Sequence, residues 1–306
     1  MQNHAFIMPV HKQPKLLART INILQAENHF FFVHVSGQVE NYQEFVDACK
    51  ELNNIIFVKR IPVYHCGISQ VNATIILLDA VISHPVHFDY VHQISGQDYP
   101  LRSNSQFDAF FESTQNSFMC YNYEEHIEQW IPVYNNQVYR FHHYGPASLW
   151  DKIVVRVGNN LIRRKFYKRR PVQNLAGGWD WFSWSDAVVK YVYDYINSNE
   201  GRRLLRRFKY TCEPGEHLWQ TILYTRLDEL KIQKHFPLRY ISWEPYREIE
   251  QKHRPYDLMK EDYDRVVNSA AFFCRKVDEV ASAEFLDMID AQRGQSYDIS
   301  EHDYFF

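Results

Sequence analysis

The chain has 306 residues, with 34 Lys and Arg against 37 Asp and Glu, and 16% of its residues are aromatic. This length suits one large α/β domain or two small ones, with a sizeable buried core. The nearly balanced charge argues against a nucleic-acid-binding protein, whose binding domain would be clearly basic.

The cysteines and the N-terminus bear on the cellular compartment. Five cysteines, an odd number with no CxxC pair, predict neither a disulfide framework nor a zinc site and fit a reducing compartment. The N-terminus has no basic segment followed by an apolar one, and no run reaches about 18 apolar residues. We therefore expect a cytoplasmic protein, free or peripherally attached to a membrane.

Apolar and amphipathic segments alternate through the first third of the chain, which is the β-α-β pattern of a mostly parallel sheet flanked by helices. Ligands of such sheets bind beyond the carboxyl ends of the strands, so the segments after Val10, Val35 and Ile94 are the first places to look for chemistry. Strands are predicted at residues 5–10, 30–35, 55–58 and 90–94, and helices at 14–26, 42–52 and 69–83.

The later part of the chain is less regular. Polar and aromatic loops run from about 118 to 171 and end in a basic cluster at 163–170. After a strand at 238–243 the chain is predicted to become charged and helical to its end. Strands are predicted at 177–184 and 238–243, and helices at 185–197, with Ser185 as N-cap, and at 216–224, after Pro214-Gly215.

Asp98 lies in the run Ser-Gly-Gln-Asp-Tyr-Pro-Leu at 95–101, which leaves a buried strand. The glycine allows close backbone approach, and the proline fixes the exit of the chain. Because Asp commonly caps its own turn, a structural carboxylate and a ligand contact are equal alternatives for Asp98.

Glu216 lies in the first turn of a predicted helix. The helix N-terminus favours an ionised carboxylate, and an ionised carboxylate aimed at a cleft can take a proton from an attacking hydroxyl. The alternative is an acidic residue that complements the helix dipole and has no catalytic role.

Arg239 and Lys276 are cations in otherwise apolar segments. Fixed positive charge of this kind can neutralise the pyrophosphate of a departing nucleotide and can replace a metal. Ion pairing is the alternative, for Lys276 with Asp278 or Glu279.

Many metal-dependent nucleotide-sugar enzymes use an Asp-x-Asp motif after a strand. The only such motif here, Asp262-Tyr263-Asp264, falls in a charged, helix-like stretch and is predicted to be a solvated face. The fifteen histidines are scattered, and no Walker loop, GxGxxG or GxSxG is present.

Six segments in chain order resemble the core-2/I-branching β-1,6-N-acetylglucosaminyltransferase and peptide O-xylosyltransferase family, over roughly residues 4–280. The resemblance implies a GT-A-type fold in a single domain, 1–306, with acceptor-side loops at about 121–171 and a helical C-terminal segment at about 255–306. The six segments are Pro9-Val10-His11-Lys12, the strand at 31–35, the 95–101 turn, and the stretches at 178–184, 214–223 and 272–278.

The resemblance also implies an inverting, metal-independent transfer of a sugar, GlcNAc or xylose, from a UDP-sugar to a hydroxyl of a glycan or glycoconjugate, with a β-linked product. By position, Glu216 resembles the catalytic base. Arg239 and Lys276 resemble the pair that grips the donor diphosphate. Val10 and His11 resemble part of the uridine pocket.

The expected partners are a UDP-sugar and a glycan or lipid-linked saccharide acceptor, with no nucleic acid, no metal and no other cofactor. Asp98 matches the family turn and is counted among the donor-binding residues. One position departs from the family pattern, because Ser36 follows His34-Val35 where the family usually has an acidic residue that contacts the nucleotide.

The sequence shows neither the membrane anchor nor the disulfides of the animal members, so a bacterial, cytosolic relative acting at the inner membrane face is expected. The basic clusters at 163–170 and 202–209 are expected to contact anionic membranes peripherally, at about 1 kcal/mol per charge. A solvated helix face is the alternative for both, and the first cluster also falls where the family contacts its acceptor.

Two other hypotheses stay open. Ser36 favours a non-catalytic nucleotide-sugar-binding or glycan-binding protein on the same fold, whereas the joint retention of Glu216, Arg239 and Lys276 argues against it. The other hypothesis is a metal-dependent transferase that uses Asp98.

Overall fold

The computed structural model describes residues 1–121, 149–163, 172–234, 238–243 and 255–293. Within these ranges the first third of the chain alternates strands and helices, as the sequence predicts. The described strands are β1 (His4–Val10), β2 (His29–Val35), β3 (Ile55–Phe57), β4 (Tyr90–Gln93), β5 (Asp98–Pro100), β6 (Ser117–Met119), β7 (Phe182–Ser185), β8 (Ile232–Gln233), β9 (Arg239–Ile241) and β10 (Phe273–Arg275).

Seven of these strands form a central sheet in the order β3-β2-β1-β4-β7-β6-β8. Strand β7 runs antiparallel to β4 and β6, whereas the other four pairs are parallel. The predicted α/β fold with a mostly parallel sheet is therefore confirmed.

Helices cover both faces of the central sheet, and none of those described combines the length and the apolar character needed to cross a bilayer. They are α1 (Pro14–Leu24), α2 (Tyr42–Ala48), α3 (Ile68–Ile82), α4 (Asn104–Ser113), α5 (Leu149–Arg163), α6 (Asp186–Asn197), α7 (Asn199–Phe208), α8 (Gly215–Leu223), α9 (Tyr263–Val267) and α10 (Ala283–Gln292).

Strand β1 is buried on both of its faces. Ala5 and Ile7 pack into one apolar cluster with residues of α3, α6 and α8. Phe6, Met8 and Val10 pack into another with residues of α1, α2 and α4. Because successive side chains of a strand point to opposite faces, this nearly continuous apolar run identifies a strand in the middle of a layered α/β domain.

A second sheet, in the order β5-β10-β9, lies outside the central one. Its register sets Arg275 opposite Asp98 and Phe273 opposite Arg239. The prediction of a helical chain from about 255 is wrong at this point, because 273–275 form a strand. Three residues are too few for a strand's periodic pattern to be recognised.

Two further predictions are wrong. The strand predicted at 177–184 begins only at Phe182, and the loop before it packs so closely that a Cβ on Gly178 would lie 2.0 Å from Cys120 O. Asp262 is not solvated but 0% exposed, and its Oδ2 accepts a hydrogen bond from Met259 N at 2.8 Å. The carboxylate therefore caps a short helical segment.

Three histidines are buried within the central sheet. His4 Nδ1 lies 3.0 Å from His92 Nε2, and His92 Nδ1 lies 2.9 Å from Ser183 Oγ. His29 Nε2 contacts Asp108 Oδ1 at 2.8 Å. Burial, reinforced by His29, lowers the pKa of His4 to about 3, and burial also lowers the pKa of His92 well below its usual value. Both His4 and His92 are therefore neutral at pH 7.

His4 and His92 are each expected to lower the free energy of unfolding by about 1 kcal/mol per pH unit as the pH falls below about 6.5, an effect that carboxylates with raised folded pKa values oppose. A histidine whose folded pKa is depressed takes up its proton in the unfolded state first, so stability is lost as the pH falls through the unfolded pKa. Urea unfolding across this range measures the slope.

The variant His4→Asn should make that slope shallower. The matched control His87→Asn changes a side chain that is 62% exposed and should leave the slope as it is. An identical slope in wild type and His4→Asn would contradict the assignment.

Candidate active site

The carboxyl ends of β1, β2 and β4 meet at one edge of the sheet. Ser36 N donates to Val10 O at 2.9 Å, and a Cβ on Gly96 would lie 3.1 Å from Val10 Cγ1. Ser36 Oγ accepts hydrogen bonds from Val63 N at 3.2 Å and Gln38 N at 3.4 Å. Ser36 therefore holds the loop after β2 against the segment that contains Val63.

His11 follows β1 at an exposed position. Its pKa is lowered, first because protein surrounds part of the ring and then because Lys12, Arg275, His65 and Lys276 add positive charge. These cations come from three separate segments of the chain. The end of β1, where Val10 and His11 were predicted to contact the donor, thus borders a cationic region.

Asp98 and Arg239 form a buried ion pair. Arg239 Nε donates to Asp98 Oδ1 at 2.8 Å, and the two side chains are 2% and 0% exposed. Arg239 Nη2 also donates to Gln93 O at 3.1 Å. Burial lowers the pKa of Arg239 to about 10, against the opposing effect of Asp98, so the guanidinium stays charged at pH 7. This geometry favours the structural alternative for Asp98, and its contact with the donor stays a prediction.

Arg275 is a second cation on the same carboxylate, and sequence reasoning did not single it out. Its Nη1 lies 3.6 Å from Asp98 Oδ2 and donates to Ser95 Oγ at 2.6 Å. Its guanidinium stacks over the Trp181 ring at 4.4 Å. The signal that could have identified it is the one used for Lys276, a cation that follows an apolar run.

Two guanidinium groups against one carboxylate leave a surplus positive charge beside Trp181. Because Arg239 and Arg275 contact the two oxygens of Asp98, a divalent cation on Asp98 would face strong repulsion. This arrangement argues against the metal-dependent alternative that uses Asp98.

Lys276 lies next to Arg275 and is 19% exposed. Its Nζ pairs with Asp257 Oδ1 at 3.3 Å. The predicted alternative partner Asp278 instead lies 3.9 Å from Lys12 Nζ and accepts a hydrogen bond from Gln13.

Glu216 lies in the first turn of α8, as predicted, and belongs to a group of three carboxylates. Its pKa is raised well above the usual value, first by burial and then by the negative charges of Glu213 and Asp180. Burial and Glu213 likewise raise the pKa of Asp180 to about 7, although Arg275 opposes them.

The expectation that the helix N-terminus keeps Glu216 ionised is therefore wrong in direction. A helix end contributes under about 1 kcal/mol in most settings, less than one pKa unit. Burial beside two other carboxylates outweighs it, and the pKa moves upwards, towards the range in which a general base works best near neutral pH.

Asp180 is the second residue that sequence reasoning missed. Its Oδ1 is shielded from solvent and has no hydrogen-bond partner among the described residues. A Cβ on Gly215 would lie only 2.4 Å from that oxygen. The available signal was a single carboxylate in the aromatic run Gly-Gly-Trp-Asp-Trp at 177–181.

Replacing Gly215 by Ala is expected to lower kcat by about 10- to 100-fold, because the new methyl group displaces the Asp180 carboxylate, and a shift of about 1 Å can have an effect of that size. Steady-state kinetics on Gly215→Ala, Asp180→Ala and the double variant test the cause. When Asp180 is already Ala, adding Gly215→Ala should lower kcat little further. An equal loss in both backgrounds would contradict a clash with Asp180.

Tryptophans border the cationic region. The rings of Trp179 and Trp181 lie 6.4 Å apart, and those of Trp179 and Trp243 lie 6.3 Å apart. Trp243 is 47% exposed. Exposed aromatic faces of this kind suit stacking on sugar rings.

Most of the predicted acceptor-side loops and basic cluster at 163–170 lie outside the described residues. The second basic cluster, 202–209, falls on α7 and just beyond it, where Arg202, Arg203, Arg206 and Lys209 are exposed.

A model of the Core-2/I-Branching enzyme family matches residues 4–267. Xylosyltransferase 2 from Rattus norvegicus is 23% identical over 309 residues, which cover 96% of this chain and 34% of that protein. Beta-1,3-galactosyl-O-glycosyl-glycoprotein beta-1,6-N-acetylglucosaminyltransferase 3 from the same species is 21% identical over 224 residues, covering 71% of this chain and 46% of that protein. The chain thus spans less than half the length of these relatives.

Among solved structures, the apo form of mouse xyloside xylosyltransferase 1 aligns with 90% of this chain and 97% of its own, with a TM-score of 0.40 and 8% identity.

Proposed function

Since the chain belongs to the Core-2/I-branching enzyme family, we propose that it is an inverting, metal-independent glycosyltransferase. It moves a sugar, GlcNAc or xylose, from a UDP-sugar to a hydroxyl of a glycan or glycoconjugate and forms a β-linkage. The names of the relatives, a xylosyltransferase and an N-acetylglucosaminyltransferase, support these two donors.

The observation that carries the proposal is the meeting of half-buried carboxylates and cations at one edge of the sheet. Arg275 links the two groups, because it lowers the pKa of Asp180 on one side and contacts Asp98 on the other. A general base and a diphosphate-binding surface are the two elements that inverting transfer from a nucleoside-diphosphate sugar requires.

In the proposed reaction Glu216 accepts the proton of the acceptor hydroxyl. The hydroxyl oxygen then attacks the anomeric carbon while the bond to the UDP oxygen breaks, which inverts the configuration at that carbon. An α-linked donor therefore gives a β-linked product. The negative charge of Asp180 helps to raise the pKa of Glu216, and the pKa of Asp180 is itself raised to about 7, so the two carboxylates titrate as a coupled pair.

The cations act on the leaving UDP. Arg275 and Lys276 are the partly exposed members, at 17% and 19%, and are the groups that reach the diphosphate. Arg239 lies behind Arg275 and Lys276 and is only 2% exposed. It adds to the positive charge of the site through Asp98, the carboxylate that it shares with Arg275. Charge fixed in advance in this way can supply the stabilisation for which other transferases use a metal.

The test is a panel of UDP-sugars offered to the protein in EDTA, with binding followed by calorimetry and UDP release followed in the presence of glycan acceptors. Binding of UDP-GlcNAc or UDP-xylose without metal, and turnover with an acceptor, are expected. A requirement for added Mg²⁺ or Mn²⁺ would contradict metal independence. Binding without turnover would favour the non-catalytic alternative.

The protein is further proposed to work in the cytoplasm, at the inner face of a membrane. Two described helices support peripheral contact with anionic lipid. Exposed Trp150, Ile153 and Val157 form an apolar stripe on α5, and Lys152 and Arg156 on the same helix are also exposed. Helix α7 adds the exposed basic residues described above.

Cosedimentation with vesicles of anionic and neutral lipid at two salt concentrations tests this localisation. Binding to anionic vesicles that weakens with salt and with Trp150→Ala is expected. No binding, or equal binding to neutral vesicles, would contradict it.

A further inference from the structure

Two dipeptides that are far apart in the sequence meet at Glu213, one of the three carboxylates described above. His65-Cys66 lies in the loop before α3, and Cys212-Glu213 lies in the turn before α8. Glu213 N donates to Cys66 O at 3.1 Å, which fixes the two segments to each other. Four side chains with metal-binding atoms are thereby brought to one place.

Their donor atoms converge. One donor atom from each of His65, Cys66 and Glu213 lies within 4.8 Å of the other two, and His65 Nε2 is 4.0 Å from Glu213 Oε1. The Cys66 thiol also interacts with the thiol of Cys212, which precedes Glu213 in the chain but lies outside this 4.8 Å set.

The chemistry and size of this group suit one class of ion. One imidazole, two thiols and one carboxylate are the ligand types that Zn²⁺ takes in tetrahedral sites. With bonds of about 2.0–2.3 Å, tetrahedral ligands lie about 3.3–3.8 Å apart. The His65 side chain is 58% exposed and able to adjust. A movement of less than about 1 Å brings its Nε2 from 4.0 Å to within this range of Glu213 Oε1.

The backbone of both segments is strained at the cluster. Cys66 has φ 61° and Glu213 has φ 44°, in the left-handed region that non-glycine residues rarely adopt. Each costs on the order of 1 kcal/mol, and such conformations concentrate where side chains are held for a ligand. This observation is independent of the donor atoms.

We propose that His65, Cys66, Cys212 and Glu213 form a binding site for a thiophilic divalent cation of the Zn²⁺ class. Binding of one ion by both thiols forms two metal–sulfur bonds and releases two protons to solvent. The site adjoins the carboxylates of the proposed transfer chemistry through Glu213, and it holds the turn that leads to Glu216. The inference does not depend on the proposed function, because binding can be measured without any sugar substrate.

Titration of the metal-free protein with Co²⁺, in the presence of a phosphine reductant, tests the proposal. One equivalent is expected to produce a thiolate-to-cobalt charge-transfer band and the intense visible bands of tetrahedral Co²⁺, and Zn²⁺ should remove both. Zn²⁺ added in weak buffer should release two protons per ion. Absence of the charge-transfer band would overturn the proposal.

Matched variants locate the site. Cys66→Ser should abolish the charge-transfer band, whereas Cys49→Ser, a buried cysteine at the end of α2, should leave it intact. His65→Ala should weaken Co²⁺ binding at least 10-fold. Because the His65 side chain is exposed, misfolding of the variant would not explain this loss of binding. His87→Ala is the exposed histidine control. A band unaffected by both Cys66→Ser and His65→Ala would overturn the assignment of these residues.

Discussion

Replacing Glu216 by Gln is expected to lower kcat by about 10²- to 10⁴-fold, the range that loss of a positioned general base produces. Glutamine has nearly the same shape but cannot accept the proton of the acceptor hydroxyl. Since Glu216 belongs to the carboxylate group and not to the cations, the affinity for UDP should change little. Steady-state kinetics together with calorimetry of UDP binding separates the two effects.

Glu213→Gln is the control within the same group. It removes a negative charge that raises the pKa of Glu216, so the pKa of the base should fall and the acid limb of the kcat/KM profile should move to lower pH. Turnover at high pH should remain. Near-normal turnover in Glu216→Gln would eliminate this residue as the base, and a loss confined to Asp180→Asn would assign the proton transfer to its neighbour.

The sequence predicted the parallel half of the fold well because each early strand is an apolar run bounded by an amphipathic helix. Strand β1 shows this, with six of its seven residues buried among neighbours on both faces. Strand β10 was missed because three residues give no period, and only its pairing with β5 and β9 makes it a strand. Local pattern cannot report a pairing between segments so far apart.

The same distinction holds for the site. The position of Glu216 in the first turn of a helix was predictable, since capping and dipole effects act within a few residues. Its raised pKa was not, because it depends on Asp180 and Glu213 and on burial. Arg239 was identified as a cation in an apolar segment, but only the register of the small sheet shows that Asp98 neutralises it.

The dipeptides His65-Cys66 and Cys212-Glu213 illustrate the limit of spacing rules for metal sites. Such rules recognise ligands that share one short segment. Here each segment supplies two adjacent residues, and a backbone hydrogen bond between them completes the set. The scattered cysteines therefore gave no signal in the sequence.

Asp98→Asn is expected to lower the free energy of unfolding by about 3–5 kcal/mol, because it leaves the Arg239 guanidinium buried without a counter-charge. Urea unfolding at pH 7 measures the change. The control Asp257→Asn breaks the pair with Lys276, in which both side chains are partly exposed, and should cost under about 1 kcal/mol. A loss of similar size in both variants would contradict the buried character of the Asp98 pair.

The double variant Asp98→Ala/Arg239→Met separates stability from function. Replacing both members of a buried ion pair with apolar groups is often neutral or stabilising, so the double variant should be more stable than Asp98→Asn. If the pair also positions Arg275, whose Nη1 lies 3.6 Å from Asp98 Oδ2, the double variant should bind UDP at least 10-fold more weakly. Unchanged UDP affinity would mean that the pair serves folding alone.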